Sequence, residues 1–357
     1  MSLEDSQCSP AEAVPTELTE DARFKQPSIN SLDGDHVELF TRGITRVLST
    51  EISEITYAQI IDGLPLSDVV KDTESGGPPD GHPINDSHQE LCPGVLEKIR
   101  EFRKDFDPQI LEFDSRLLLA YQAAALGSRA FKVALIEMIA IAVHQIAVII
   151  FRLDTGLHKD DGITGWQAPK SDEFYWELWP NGPLPTLFQH PWYIDYKQYP
   201  NGVADMVGYW AESRILGGVI LFDRRRLDFD PNAVYFISDR YNVTYRIYEL
   251  LPEQKQLLID FLTADTPSPK SPLPILGDDK NRNRVDPEEP IKETGIYRDI
   301  WERRTRPVTL GDSRMRDVWD QLDFPTLADK RAADERARER RIKQKYGNDA
   351  QESSLAG

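Results

Sequence analysis

The sequence predicts a protein of the α+β class: a helical layer around one long buried helix, at residues 115–153, and a small three-stranded antiparallel sheet. Two observations carry this prediction. Apolar residues dominate nearly all faces of residues 115–153, and few residues there break a helix. Three short strand-like runs follow, separated by turn signals at Asp230-Pro-Asn and Asp239-Arg-Tyr-Asn. Both ends of the chain lack such periodicity, so a folded core is expected between two polar segments.

The N-terminal arm, residues 1–31, is rich in Ser, Pro, Glu and Asp. Such a segment cannot bury enough apolar surface to offset the entropy of an ordered chain, so we expect disorder. Apolar residues at helical spacing in residues 36–63 predict one or two helices. The globular core is therefore expected to begin at residue 32.

Residues 115–153 are predicted to form a core helix rather than a membrane span. The longest stretch free of formal charge, Met138 to Phe151, has 14 residues and contains His144. A span needs about 20 consecutive apolar residues, whereas shorter apolar runs are typical of buried helices. We therefore expect a soluble protein without a membrane span.

The second half of the core is expected to combine loops, a helix and the sheet. Residues 156–202 are rich in Pro, Gly and aromatics and predict a long ordered loop region, followed by a helix at 203–214. Pro252 predicts the start of a short closing helix, which ends the core near residue 263. The remainder is interpreted as a Pro-rich, charged linker, a charged helical extension and a disordered tail, at 264–295, 296–346 and 347–357.

The net charge of −18 argues against nucleic acid as a partner. A surface of this charge repels the phosphate backbone. A small molecule or a protein remains as partner, and the oligomeric state stays open. The two cysteines, Cys8 and Cys92, cannot form a disulfide framework. The first residues carry no secretory signal, so we expect an intracellular, cytoplasmic protein.

Glu137 and His144 are the candidate catalytic residues. Seven residues separate them, so their side chains project within about 20° of one another on a helix. A buried carboxylate beside a histidine suits acid–base work. Asp205 and Glu212 repeat the spacing and would support this pair if the two helices face each other. The alternative is that each group pairs with an arginine or a backbone group.

A divalent metal is the cofactor that the sequence makes possible, although its identity is unknown. His158-Lys-Asp160-Asp161-Gly follows the central helix, and His190 could supply a further ligand. The alternative is a turn that caps the helix. Nucleotide-binding, α/β-hydrolase, zinc-finger and zincin motifs are absent from the sequence.

Residues 166–210 contain twelve of the 34 aromatic residues. They are Trp166, Phe174, Tyr175, Trp176, Trp179, Phe188, Trp192, Tyr193, Tyr196, Tyr199, Tyr209 and Trp210. Aromatics on loops offer stacking surface for a ligand, or they fill a loop region that lacks regular hydrogen bonding. The candidate ligand-binding residues are Trp166, Trp176, Trp192, Tyr209, Trp210 and Arg214.

Four stretches resemble a group of filamentous-fungal proteins with no established activity. They are Leu118-Leu-Ala-Tyr-Gln-Ala-Ala-Ala through His144-Gln-Ile-Ala-Val, Leu153-Asp-Thr-Gly-Leu-His-Lys-Asp-Asp-Gly, Ala204-Asp-Met-Val-Gly-Tyr-Trp-Ala-Glu-Ser-Arg and Val243-Thr-Tyr-Arg-Ile-Tyr. The resemblance covers roughly residues 117–263. It implies a fungal origin and a core boundary near 263, and it implies no catalytic role and no ligand.

Two functional hypotheses follow from these residues. In the first, the core is an enzyme that acts on a small, partly apolar molecule by acid–base or metal-assisted chemistry, with Glu137 and His144 inside a closed pocket. In the second, the core is a binding or scaffold protein that uses an exposed aromatic surface.

Overall fold

The computed structural model describes residues 28–73, 77–159, 161–225, 234–266, 270–285, 287 and 291–303, with isolated residues between 326 and 342. The expected disordered arm falls almost wholly outside these residues. Most of the expected charged extension beyond residue 303 and the expected tail at 347–357 also fall outside them.

Four helices precede the central segment in the described residues, and polar side chains or glycines set several of their ends. They are α1 (Gly34–Leu48), α2 (Glu51–Asp62), α3 (Ser67–Lys71) and α4 (Val95–Asp105). The Thr50 side chain accepts a hydrogen bond from the Ser53 N–H and so caps the start of α2. Gly63 ends α2 with a φ of 100°, a left-handed conformation that favours glycine. This cap places Asp62, the last residue of α2, at a sharp turn.

The central segment is two helices, so the prediction of one helix over 115–153 is wrong in this respect. Helix α5 spans Ser115–Ala123 and helix α6 spans Arg129–Arg152. Gly127 has a φ of 72°, and the Ser128 side chain accepts from the Phe131 N–H to start α6. By length and composition α6 could cross a membrane, but 83% of its most apolar window is buried within the protein.

The remaining helices are α7 (Glu173–Leu178), α8 (Val203–Leu216), α9 (Pro252–Thr263) and the short α10 (Ile291–Thr294). Helix α8 packs along α6 and is buried along almost its whole length. Its polar side chains Asp205, Glu212 and Arg214 are therefore buried as well and need partners inside the protein. The facing of α6 and α8 is the arrangement on which the predicted acid–base group depended.

The sheet has five strands in the described residues rather than the predicted three. The strands are β1 (Val219–Asp223), β2 (Val234–Ile237), β3 (Ile247–Glu249), β4 (Arg284–Val285) and β5 (Ile296–Tyr297), in the order β4-β3-β2-β1-β5. All neighbours are antiparallel, with Ile220 opposite Phe236 and Asp223 opposite Ile296. The two added edge strands have two residues each, which is too short for an alternating pattern to reveal them.

The folded core extends beyond residue 263, where the sequence analysis placed its end. Strands β4 and β5 come from the regions interpreted as linker and extension. Ile275, Ile296 and Glu302 are buried against the core. The Pro-rich composition was interpreted as a stiff extended linker, but an extended chain can still pack on a surface.

The two faces of β1 and β2 join different apolar clusters, as the alternation of side chains in a strand requires. Ile220 and Phe236 belong to the main core with α6 and α8, whereas Leu221 and Ile237 belong to a second cluster with aromatic residues. A third, small cluster consists of Leu64, Val70 and Ile84, against which Ile163 and Leu187 pack. This third cluster joins the loop before α4 to the loop region after α6.

Candidate metal centre

Four side chains with metal-binding atoms meet beside the end of α2. They belong to Asp62, His88, Cys92 and His158, and their ligand atoms all lie within 4.8 Å of one another. Asp62 ends α2, His88 and Cys92 lie in the loop before α4, and His158 lies in the loop after α6. Three segments that are far apart in sequence therefore contribute to one group, which we call the metal centre.

Backbone contacts hold the three segments together. The His158 N–H donates to the Asp62 carbonyl oxygen at 3.1 Å. Gly63 and Gly156 pack so closely that a Cβ on Gly63 would lie 3.2 Å from the Gly156 Cα. Two glycines therefore permit an approach that side chains would hinder.

The Asp62 carboxylate is buried and has one unsatisfied oxygen. Its Oδ2 accepts from the Cys92 N–H at 2.9 Å and lies 3.0 Å from His88 Nε2. Its Oδ1 lies 3.8 Å from His158 Nε2 and makes no hydrogen bond with any residue that the structure describes. An unsatisfied buried carboxylate oxygen is costly, and a bound cation would remove that cost.

Charge and hydrogen bonding at Asp62 favour its ionised form. Burial acts to raise the pKa of Asp62, but hydrogen bonds from His88 and Cys92 outweigh it and hold that pKa below its usual value. An ionised carboxylate is the form that binds a metal. Asp62 is therefore in the ionised form that a metal ligand requires.

Both histidines are anchored through the ring nitrogen that faces away from the centre. His88 Nδ1 lies 2.9 Å from the Pro65 carbonyl oxygen, and His158 Nδ1 lies 2.8 Å from Asp161 Oδ2. A carbonyl oxygen only accepts, so His88 Nδ1 carries a proton. A bound ion would replace the Nε2 proton through which His88 otherwise donates to Asp62 Oδ2. The lone pair for a metal then belongs to Nε2. Metal-binding histidines are oriented in this way, by a carbonyl or carboxylate behind the ring.

His88 also has an unusual backbone conformation. Its φ is 51°, in the left-handed region that costs a residue with a side chain roughly 1–2 kcal/mol. Ser67 donates its N–H to the His88 carbonyl oxygen and so helps to hold this turn. Strain of this kind concentrates where a side chain must take a required direction.

The spacing of the donor atoms suits a tetrahedral ion. Zinc–sulfur and zinc–nitrogen bonds of about 2.3 and 2.0–2.1 Å place neighbouring ligand atoms roughly 3.3–3.6 Å apart. Cys92 Sγ lies 3.2 Å from His158 Nε2, and the two carboxylate contacts are 3.0 and 3.8 Å. These three separations lie on both sides of the tetrahedral spacing, and the four residues bring ligand atoms within 4.8 Å of one another, so modest side-chain shifts would place them around one zinc ion.

The chemistry of the donor set also points to zinc. A thiolate, a carboxylate and two neutral imidazoles neutralise a divalent ion, which favours a buried site. Calcium and magnesium prefer oxygen ligands alone, whereas zinc accepts nitrogen, sulfur and oxygen together. The donor set of these four residues therefore suits zinc better than calcium or magnesium.

The structure separates the residues predicted to bind a metal. His158 belongs to the centre, and Asp161 orients its ring. Asp160 lies outside the described residues. His190 lies elsewhere: its Nε2 bonds to the Ile237 carbonyl oxygen and its Nδ1 accepts from the Trp192 N–H. Burial lowers the pKa of His190 to about 4.

Sequence analysis missed Asp62, His88 and Cys92. His88 follows Asp62 by 26 positions and His158 follows Cys92 by 66, so no short motif connects them. One signal was present: Cys92 is the single cysteine within the expected core. Without a structure, nothing in the sequence placed it beside His158.

The predicted acid–base group forms in part. His144 Nε2 lies 2.9 Å from Asp205 Oδ1, and His144 Nδ1 lies 3.9 Å from Glu212 Oε2. Glu137 instead pairs with Arg224 at 2.5 Å, which is the arginine pairing that the sequence left open. Glu137 and His144 are only 5% and 8% exposed, so both are enclosed by the packing of the core.

A residue from beyond the expected core boundary completes this buried group. Arg298 donates to both carboxylate oxygens of Glu212 at 2.8 Å. The Ile220 N–H donates to the same carboxylate at 2.7 Å. Glu212 is thus satisfied as a structural ion pair.

The predicted ligand-binding residues do not share one surface. Trp192, Tyr209, Trp210 and Arg214 are buried, whereas Trp166 and Trp176 are half-buried. Seven of the twelve aromatics are buried: Tyr175, Phe188, Trp192, Tyr193, Tyr199, Tyr209 and Trp210. Arg214 is ion-paired with Asp239 at 2.8 Å and with Asp72 at 2.9 Å. Most of these side chains therefore fill the interior.

Comparison of the chain with models of protein families, with curated proteins and with solved structures gives no significant match. The resemblance to the filamentous-fungal group and the fungal origin that it implies stay predictions. The metal centre is therefore interpreted from its own chemistry.

Proposed function

We propose that this protein binds zinc, with Asp62, His88, Cys92 and His158 as the ligands of one ion. The observation that carries the proposal is the buried Asp62 Oδ1, which has no hydrogen bond to a described residue. It lies 3.8 Å from Nε2 of His158, and His88 Nε2 lies beside the other oxygen of the same carboxylate. A cation at this point satisfies the carboxylate and uses both Nε2 lone pairs.

The proposed ion has a structural role. Four protein ligands complete a tetrahedral zinc site, whereas a catalytic zinc keeps one position for water or substrate. The ion would connect α2 to the loop before α4 and to the loop after α6. It would thereby hold the third apolar cluster, in which Leu64, Val70 and Ile84 meet Ile163 and Leu187.

This role supports the binding or scaffold hypothesis more than catalysis by Glu137 and His144. Both of those side chains are enclosed and have partners in Arg224 and Asp205. The exposed aromatic surface of the scaffold hypothesis is reduced to a few side chains, of which Phe174 is 72% exposed. A zinc ion that orders loops is consistent with a protein that presents those loops to a partner.

The test is the metal content of the purified full chain, measured by elemental mass spectrometry. We expect about one zinc per chain, and loss of that zinc in His88→Ala and His158→Ala. His82→Asn is the matched control, because His82 lies in the same loop outside the centre and its ring nitrogen accepts from the Ile84 N–H, as an asparagine oxygen can. Wild-type protein that neither contains zinc nor takes it up would rule the proposal out.

Cobalt substitution gives a second measurement that depends on the ligands themselves. A tetrahedral Co²⁺ site with one thiolate has visible ligand-field bands and a sulfur-to-metal charge-transfer band. We expect both in wild type, and loss of the charge-transfer band in Cys92→Asp.

A further inference from the structure

We propose that Cys92 makes the metal centre a redox switch: a peroxide oxidises its thiolate, the ion leaves and residues 86–94, directly before α4, open. This inference rests on the proposed zinc site and names its regulation. It follows from the unequal exposure of the four ligands and from the way in which the loop is attached.

The sulfur lies on the accessible side of the centre. The side chains of Asp62 and His88 are 0% and 2% exposed, so solvent does not reach the centre past them. Cys92 is half-buried, and the His158 side chain beside it is 24% exposed. A small oxidant therefore reaches the centre from the side of Cys92 and His158.

The centre has a single thiolate, so one oxidation changes the donor set. The Cys92 sulfur attacks one oxygen of hydrogen peroxide, and the O–O bond breaks. Sulfur loses two electrons and becomes a sulfenic acid, while the second oxygen leaves as hydroxide and takes a proton from solvent. A sulfenic acid is a weaker ligand than a thiolate, so the ion keeps three strong ligands.

A low-molecular thiol can reverse the step. The first thiol molecule forms a mixed disulfide with Cys92 and releases water. A second thiol molecule attacks this disulfide, which regenerates the Cys92 thiol and releases the two small thiols as their own disulfide. Cys92 is the single cysteine in the part of the chain that the structure describes, so no neighbouring cysteine there competes for the sulfenic acid.

Loss of the ion affects one side of the loop. The N-terminal side stays attached, because Asp72 is ion-paired with both Arg214 and Arg240 at 2.9 Å. Residues up to 85 also stay attached, because Ile84 packs in the third apolar cluster and the Asn85 carbonyl oxygen accepts from Ser67 and Lys71. The metal ligands His88 and Cys92 lie in the next segment, residues 86–94. Without the ion, the buried Asp62 carboxylate keeps an unsatisfied oxygen, and opening of this segment would expose it to water.

The experiment follows zinc release from the full chain, after its zinc content has been measured. Zinc-loaded protein is treated with hydrogen peroxide, release is read with a chromophoric chelator, and sulfenic acid is trapped with dimedone for mass spectrometry. We expect release in step with modification of Cys92, and reuptake of zinc after reduction by a thiol. Hydrogen exchange should rise in residues 86–94, and a Glu-specific protease should cleave faster after Glu90, whose side chain is exposed but whose backbone must open locally to be cut.

Three variants make the outcome decisive. Cys8→Ser should release zinc like wild type, whereas Cys92→Asp, which keeps a charged oxygen ligand, should release it on the order of tenfold more slowly or not at all. Cys92→His takes its place if the aspartate variant does not retain zinc. Equal release from wild type and the loaded Cys92 variant overturns the switch, as does modification of Cys92 without release. Absence of zinc before oxidation would instead refute the metal site itself.

Discussion

The backbone N–H of Cys92 donates to Asp62 Oδ2 at 2.9 Å, so one ligand of the metal centre positions another. This bond leaves Oδ1 as the carboxylate atom without a hydrogen bond among the described residues. Because the donor is a backbone group, substitutions of Cys92 other than proline keep it. The effects of losing a ligand atom and of losing the loop geometry can therefore be separated.

The carboxylate behind His158 is expected to tune zinc affinity without binding the ion. In Asp161→Asn the ring loses a charged acceptor 2.8 Å from Nδ1, and we expect zinc affinity to fall about 10–100-fold. The measurement is competition with a chelator of known affinity. Asp154→Asn is the control, because Asp154 is an exposed carboxylate in the same loop that pairs with Lys159. An equal loss in both variants would mean that only net charge matters.

Zinc is expected to stabilise the folded chain by mass action. At free zinc 100 times the dissociation constant, the free energy of unfolding rises by about 2.7 kcal/mol. Thermal unfolding with and without a chelator measures this difference, and the effect should vanish in His88→Ala. A chelator effect that persists in His88→Ala would place the stabilising ion elsewhere.

The free energy of unfolding is expected to decrease as the pH is lowered, in part because of His190. Its folded-state pKa of about 4 lies below the ordinary value of 6.5, so between these values the unfolded chain binds more protons. The contribution of neutral His190 is complete above about pH 6.5 and is lost as the pH falls towards 4, at up to about 1.4 kcal/mol per pH unit. Denaturant unfolding of wild type and His190→Gln measures it. The variant should show a shallower loss over this range, and identical slopes would contradict the assignment.

The Glu212–Arg298 pair is expected to be strongly coupled. Arg298→Met leaves the Glu212 carboxylate buried without its main partner, and we expect a cost of about 3–5 kcal/mol in unfolding free energy. Glu212→Gln in the same chain should recover part of that loss. Arg116→Ala, at a side chain 91% exposed, should change stability by no more than about 0.5 kcal/mol. Additive losses in the double variant would show that the pair is not coupled.

Because His144 packs against Gly208 of α8, a single methyl group added at Gly208 is expected to destabilise the protein. A Cβ on Gly208 would lie 2.5 Å from His144 Nε2, so Gly208→Ala must displace the ring from Asp205. We expect a loss of about 1–3 kcal/mol, measured by denaturant unfolding. Gly34→Ala is the control, because a Cβ there meets nothing within 4 Å, and it should be neutral or stabilising. A neutral Gly208→Ala would mean that the ring is held loosely.

The sequence was most informative where one element carries its own pattern. The apolar helix and the three central strands were predicted, because each depends on periodicity or on turn residues nearby. The facing of α6 and α8 entered only as a condition, because it depends on packing between distant segments. The break at Gly127-Ser128 was missed because the apolar pattern continues on both sides of it.

The metal centre could not be predicted, because its geometry depends on contacts between distant segments. His158 was identified from neighbouring carboxylates, but its partners come from α2 and from the loop before α4. Likewise, Arg298 was unknown as the partner of Glu212, since β5 carries no detectable strand pattern. In both cases, the sequence did not indicate which residue from a distant segment would be the partner.

Strand β5 has a practical consequence for anyone who shortens this chain. A fragment that stops at the apparent boundary near 263 would lose the neighbours of β1 and β3, and two sheet edges would be left open to pairing between molecules. It would also keep Glu212 inside the core without Arg298. Aggregation of such a fragment would therefore say nothing about the folding of the whole protein, and a shortened chain should keep every residue through Arg303.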